Sequence, residues 1–142
     1  MTTLPARSRI DHVGLNVRDL DAMSDWYMAA FGYEVQLRFA LDPIGLRIVM
    51  LADDDGRRFE LLARSAGRAG LRARTPVEAA GVWGYGHVAF QVDGLTATFQ
   101  RLVASGASPV AEPQPSPEEG RWFAWVHDPE GNLIELIGPA PS

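Results

Sequence analysis

From residue 10 to 17 the chain reads Ile-Asp-His-Val-Gly-Leu-Asn-Val. Branched apolar side chains fall on every second position, the period of a strand with one packed face. Val13, Leu15 and Val17 point one way; His12, Gly14 and Asn16 point the other. The period then lengthens to that of a helix, with Leu20, Met23, Tyr27, Ala30 and Phe31 in one stripe. Asp19 or Asp21 can cap this helix and Gly32 stops it. Strands are predicted near 33–40, 46–52 and 57–63, the last two joined by a hairpin over Asp53–Gly56.

The same order then returns. Residues 86–92 form a strand, and Asp93 can cap a helix whose inner stripe is Leu95, Phe99, Leu102 and Val103, ending at Gly106. A short strand near 109–112 leads into a proline-rich loop. Strands near 121–127 and 132–138 close around the turn Asp128-Pro129-Glu130-Gly131-Asn132. The pattern therefore predicts an α+β chain of two tandem βαβββ modules, 9–63 and 86–138. An Arg-, Ala- and Gly-rich linker over 64–85 joins them, and short frayed tails flank them.

The halves share more than a pattern. A shift of 75 residues carries His12 onto His87, Glu60 onto Glu135 and Gly56 onto Gly131. In each half the histidine lies on the first strand and the glutamate on the last. Glu60 stands between Phe59 and Leu61, and Glu135 between Ile134 and Leu136. A carboxylate in such a setting is costly to bury alone. A cation removes the cost by turning the carboxylates into ligands. Two His and two Glu in a duplicated fold point to one divalent metal site between the halves. His127 maps onto Ala52, has no repeat partner and reads as structural. Trp26, Trp83, Trp122 and Trp125 read as core or interface residues.

Composition narrows the function classes. The chain has 142 residues, 46% of them apolar, a net charge of -5 and no cysteine. There is no disulfide framework, thiolate ligand or Cys nucleophile. No apolar run approaches the roughly 20 residues that span a bilayer. The first seven residues lack a signal-peptide core, and the whole fits a cytoplasmic protein. The acidic balance argues against a nucleic-acid partner. Arg64, Arg68, Arg72 and Arg74 form one basic stretch, a solvated loop or an anion-binding lid.

These motifs resemble the vicinal oxygen chelate superfamily, which includes glyoxalase I, methylmalonyl-CoA epimerase, extradiol dioxygenases, fosfomycin-resistance enzymes and bleomycin-binding proteins. The resemblance covers residues 9–138. It rests on the His12-Val13-Gly14-Leu15-Asn16-Val17 opening, Phe59-Glu60-Leu61-Leu62, Gly86-His87-Val88-Ala89-Phe90, and the run from Asp128 to Leu136. It implies a cupped mixed sheet around a metal held within one chain or across a homodimer.

With all four positions filled, the resemblance favours the glyoxalase I-like or epimerase-like branches. It implies a lyase or isomerase acting on a small oxygen-rich substrate through a metal-stabilised enediolate or enolate. The metal would be Ni, Co, Zn or Mn, with Glu135 as both ligand and catalytic base. Asn16, Gln91, Arg47 and Trp122 are expected to line the substrate cavity. Where glutathione-using members carry an arginine and an asparagine, this chain has Asn16 and Arg64. For the further carboxylate of the epimerases, Asp42 is the nearby candidate. The alternatives are an Fe-dependent dioxygenase of the same fold and a non-catalytic drug- or metabolite-binding protein.

Overall fold

A computed structural model of the chain describes residue 3 and residues 6–142. Met1, Thr2, Leu4 and Pro5 lie outside the described residues, and with them part of the expected N-terminal tail. The chain divides into two compact units, residues 1–67 and 68–142.

The first unit contains strand β1 (His12–Asn16), helix α1 (Leu20–Phe31), strand β2 (Glu34–Leu41), a 3-10 turn (Asp42–Ile44), and strands β3 (Leu46–Ala52) and β4 (Arg58–Arg64). The sheet order is β1-β4-β3-β2. β1 runs parallel to β4, and the other neighbours are antiparallel. Asp19 caps α1 by accepting from the Ala22 amide at 3.0 Å. Gly32 ends it at φ 72°, a conformation that a Cβ would strain. Leu20, Met23, Tyr27 and Ala30 are buried along the helix, and Val49, Leu51, Phe59 and Leu61 on the sheet. The Tyr27 and Phe59 rings lie 4.9 Å apart across this interface. Each large apolar side chain fully buried here contributes about 1.5–3 kcal/mol.

The second unit contains helix α2 (Pro76–Ala80), strand β5 (Val88–Gln91), helix α3 (Leu95–Ala104), and strands β6 (Ser108–Pro115), β7 (Arg121–His127) and β8 (Leu133–Pro139). Its order, β5-β8-β7-β6, repeats that of the first unit, again with the first and last strands parallel. Both units are thus βαβββ modules of one topology. Leu95, Phe99 and Leu102 of α3 are buried, as are Ala124, Val126, Ile134 and Leu136 of the sheet.

The two β-turns repeat the same pair of hydrogen bonds from backbone amides. Asp53 Oδ1 accepts from the amides of Asp55 and Arg57, and Asp128 Oδ1 from those of Glu130 and Asn132. Gly56 and Gly131 follow at φ 77° and 85°.

Four details differ from the sequence reading. Gly94, not Asp93, caps α3, with no side-chain hydrogen bond. β6 runs on through Pro115, because an edge strand tolerates prolines that donate nothing to a ladder; its register shifts twice on the way. β5 begins at Val88, leaving His87 one residue ahead of it. The segment 64–85 holds helix α2, whose Ala79 packs in a cluster with Trp125 and Leu133. Among the described residues, no helix is long and apolar enough to cross a membrane.

Candidate metal centre

Each sheet has one face packed on its helix, and the other face carries the His and Glu. Gly14 pairs with Glu60 and Asn16 with Leu62 along β1 and β4. Residues directly paired share a face, so His12, Gly14, Asn16 and Glu60 all lie opposite α1. Met50 pairs with Glu60 from the other side. In the second module Ala89 and Trp125 pair with Glu135, and Gln91 with Ile137. Small residues stand beside both carboxylates. A Cβ built on Gly14 would lie 3.5 Å from Glu60 Oε1, which is ordinary contact.

The two histidine–glutamate pairs come together within their own modules. His12 Nε2 lies 3.8 Å from Glu60 Oε1, and His87 Nε2 lies 3.1 Å from Glu135 Oε2. The glutamates are 16% and 17% exposed and the histidines 37% and 40%, so each pair is half-sheltered and open on its outer side. Among the described residues, no group of three or more His, Cys, Asp or Glu gathers to hold an ion. Each module therefore offers two donors.

The donors fit a divalent cation. Imidazole nitrogen and carboxylate oxygen are the ligand types of zinc, nickel, cobalt and manganese sites. Two ligands bonded to one ion at about 2.0–2.2 Å stand roughly 3–3.5 Å apart; the His87–Glu135 separation of 3.1 Å falls in this range and the His12–Glu60 separation of 3.8 Å lies just beyond it.

The surroundings of the histidines differ. His12 Nδ1 is 2.7 Å from Asp11 Oδ2, and the same oxygen accepts from Arg58 Nη1 at 3.2 Å. The hydrogen bond from His12, with the Arg58 charge adding to it, holds the Asp11 carboxyl below its ordinary range. The His87 ring instead stands edge-on to Trp125, with centroids 4.7 Å apart.

Two expected cavity residues lie on the wrong face. Arg47 pairs with Ala63, one step out of phase with Glu60, and its guanidinium reaches Asp21 of α1 at 3.1 Å. Trp122 pairs with Gly138, out of phase with Glu135. Both belong to the helix side of their sheets. Phe123 and Trp125 take the position expected of Trp122. His127 stands apart from the two His–Glu pairs: its Nε2 meets the Ala73 carbonyl oxygen at 2.8 Å, holding the 68–80 segment on the sheet. Arg64, Arg72 and Arg74 contact the Ile44 carbonyl, Asn132 and Glu78 respectively, each within its own unit. Asp11, Arg58 and Trp125 are neighbours of the site that the sequence reading did not assign.

Comparison with known proteins agrees with this fold. The family model of the Glyoxalase/Bleomycin resistance protein/Dioxygenase superfamily matches residues 9–136. The chain is 27% identical over 138 residues to the lactoylglutathione lyase of Haemophilus influenzae, covering 91% of each. It is 31% identical over 109 residues to CFP32 of Mycobacterium tuberculosis, covering 77% of this chain but only 41% of that protein. A glyoxalase family protein of Bacillus cereus superposes with a TM-score of 0.79 at 22% identity, over 96% of this chain and 99% of that one. The trypanothione-dependent glyoxalase I of Leishmania major gives 0.70 at 21% identity, over 93% and 87%. With the duplicated βαβββ topology, the repeated His–Glu pair and a family match spanning nearly its whole length, the chain belongs to the Glyoxalase/Bleomycin resistance protein/Dioxygenase superfamily.

Proposed function

We propose that the protein is a metal-dependent lyase or isomerase of the glyoxalase I-like or epimerase-like kind. It moves a proton on a small, oxygen-rich substrate. His12, Glu60, His87 and Glu135 are the ligands of one divalent cation, Ni, Co, Zn or Mn, and the working unit is a homodimer. The observation that carries this reading is the repetition of one His–Glu pair, Nε2 toward carboxylate, at equivalent positions of two like sheets. Two donors per module are too few for a stable site, and four are the set that glyoxalase I-like relatives would use. The lactoylglutathione lyase among the relatives supports the redox-neutral branch.

A bound divalent ion supplies Lewis-acid polarisation of a substrate oxygen. The residues of the chain do the rest. Glu135, sheltered between Trp125 and Ala89 in register, is the carboxylate that accepts the α-proton and returns it. Asn16 and Gln91 are exposed on the same faces as the pairs, where their amides can bond substrate oxygens. Met50, Leu62, Phe123, Trp125 and Ile137 give these faces apolar walls that limit water around the reacting carbon.

The test is elemental analysis of protein purified without chelator. It is followed by a screen of thiol adducts of 2-oxoaldehydes and of acyl thioesters in deuterated water, with the matching metal. The expected result is nickel, cobalt, zinc or manganese, together with isomerisation and deuterium at the α-carbon. Iron with oxygen consumption would move the protein to the dioxygenase branch. Absence of any metal affinity would leave a binding protein.

A further inference from the structure

The two half-sites are not equivalent, and the difference lies behind the histidines. Asp11 Oδ2 sits 2.7 Å from His12 Nδ1 and 3.2 Å from Arg58 Nη1. Arg58 is the residue paired with His12 across the parallel β1–β4 ladder. Its guanidinium is therefore fixed beside the ring by strand register. Its Nε is buried without a hydrogen-bond partner, a cost that the Asp11 contact helps to offset. The repeat lacks this arrangement. Gly86 stands where Asp11 does and Leu133 where Arg58 does.

We propose that Asp11 and Arg58 are positioning residues, which preset His12 as a donor through Nε2, whereas His87 must change tautomer before it can donate. The consequence for metal binding rests on the ligand assignment above; the tautomers do not. An ionised carboxylate accepts hydrogen bonds and a guanidinium only donates them. The proton in the short His12–Asp11 contact is therefore on Nδ1. That leaves Nε2 of the neutral ring with its lone pair. Its 3.8 Å separation from Glu60 Oε1 is too long for a hydrogen bond, as expected for two acceptors facing each other. In the second module the contact is at the other nitrogen. His87 Nε2 is 3.1 Å from Glu135 Oε2, so the proton is on Nε2. An ion that takes this nitrogen displaces that proton to Nδ1 or to solvent. A carboxylate behind a ligating imidazole fixes ring orientation and raises donor strength, and its loss typically weakens metal binding about 10–100-fold. The first module is the preorganised half of the site.

The experiment uses the full chain, uniformly 15N-labelled and metal-free, at about pH 8, well above the ordinary histidine pKa of about 6.5. Two-bond proton–nitrogen correlations of the imidazoles report the tautomers. The expected result is the Nδ1–H pattern for His12 and the Nε2–H pattern for His87. Asp11→Ala should abolish the first and spare the second. Zinc affinity, measured against a chromophoric chelator, should fall about 10–100-fold in Asp11→Ala. It should stay within twofold in Asp25→Ala, which removes the same charge from the exposed side of α1. Asp11 is 68% exposed, and an unchanged amide spectrum elsewhere checks that the variant is folded. An Nε2–H pattern for His12 in the wild type, or a pattern and affinity that survive Asp11→Ala, overturns the proposal. A His12 tautomer that depends on Asp11 in a protein with no zinc affinity upholds the positioning and overturns the metal reading instead.

Discussion

Glu60 and Glu135 occupy equivalent places, yet under the proposed function they do different work. Glu135→Gln keeps an oxygen that can coordinate but removes the proton acceptor. Activity should fall by about 10²–10⁴-fold while most metal is retained. Glu60→Gln should cost far less turnover. Steady-state kinetics beside metal analysis separates the two, and equal modest losses would leave Glu135 a ligand only. Trp125, 8% exposed against His87, Ala79 and Leu133, supports both the site and the core. Trp125→Ala should destabilise the second module by about 3–5 kcal/mol in denaturant unfolding. The approach of each His to the Glu of its own module was legible because both period and chemistry repeat. Arg47 and Trp122 were misplaced for a reason that the sequence already held. Once the turns at Asp53 and Asp128 fix the hairpins, Met50 must face Glu60 and Trp125 must face Glu135. Residues 47 and 122 then fall on the opposite side. Asp11 was hidden because its partner Arg58 comes from a strand 47 positions away.

At the scale of elements, the paired turns decide whether the glutamates keep register. Asp128 is 2% exposed and accepts from two backbone amides and the Asn132 side chain. Asp128→Ala strips all of these and should cost about 2–3 kcal/mol. The equivalent Asp53→Ala, at a more exposed turn, should cost about half as much. Thermal unfolding of the two variants checks the order, and a larger loss at Asp53 would contradict it. Helix α1 was readable to within a residue because Asp19, the apolar stripe and Gly32 all agree. α3 lacked that agreement at its start, where Gly94 rather than the neighbouring acid holds the cap position. The full length of β6 is hidden in the sequence because its prolines resemble a loop, and only its place at the sheet edge makes them harmless. α2 is five residues long and is placed by tertiary packing of Ala79, for which a local pattern gives little signal.

For the molecule as a whole, the duplicated topology was the most legible property, since one order of strands and helix was written twice. The proposed homodimer is checked by sedimentation across a range of concentrations; a monomer at every concentration contradicts it. The most direct test of the central claim is a zinc or cobalt titration of the metal-free protein and of His12→Ala, Glu60→Ala, His87→Ala and Glu135→Ala, read by competition with a chelator. If both His–Glu pairs serve one ion, the wild type saturates at one equivalent per chain, and a variant in either module weakens the same binding event by at least tenfold. Two independent equivalents per chain, each lost only with its own module's variants, or binding unaffected by any of the four, would contradict the account.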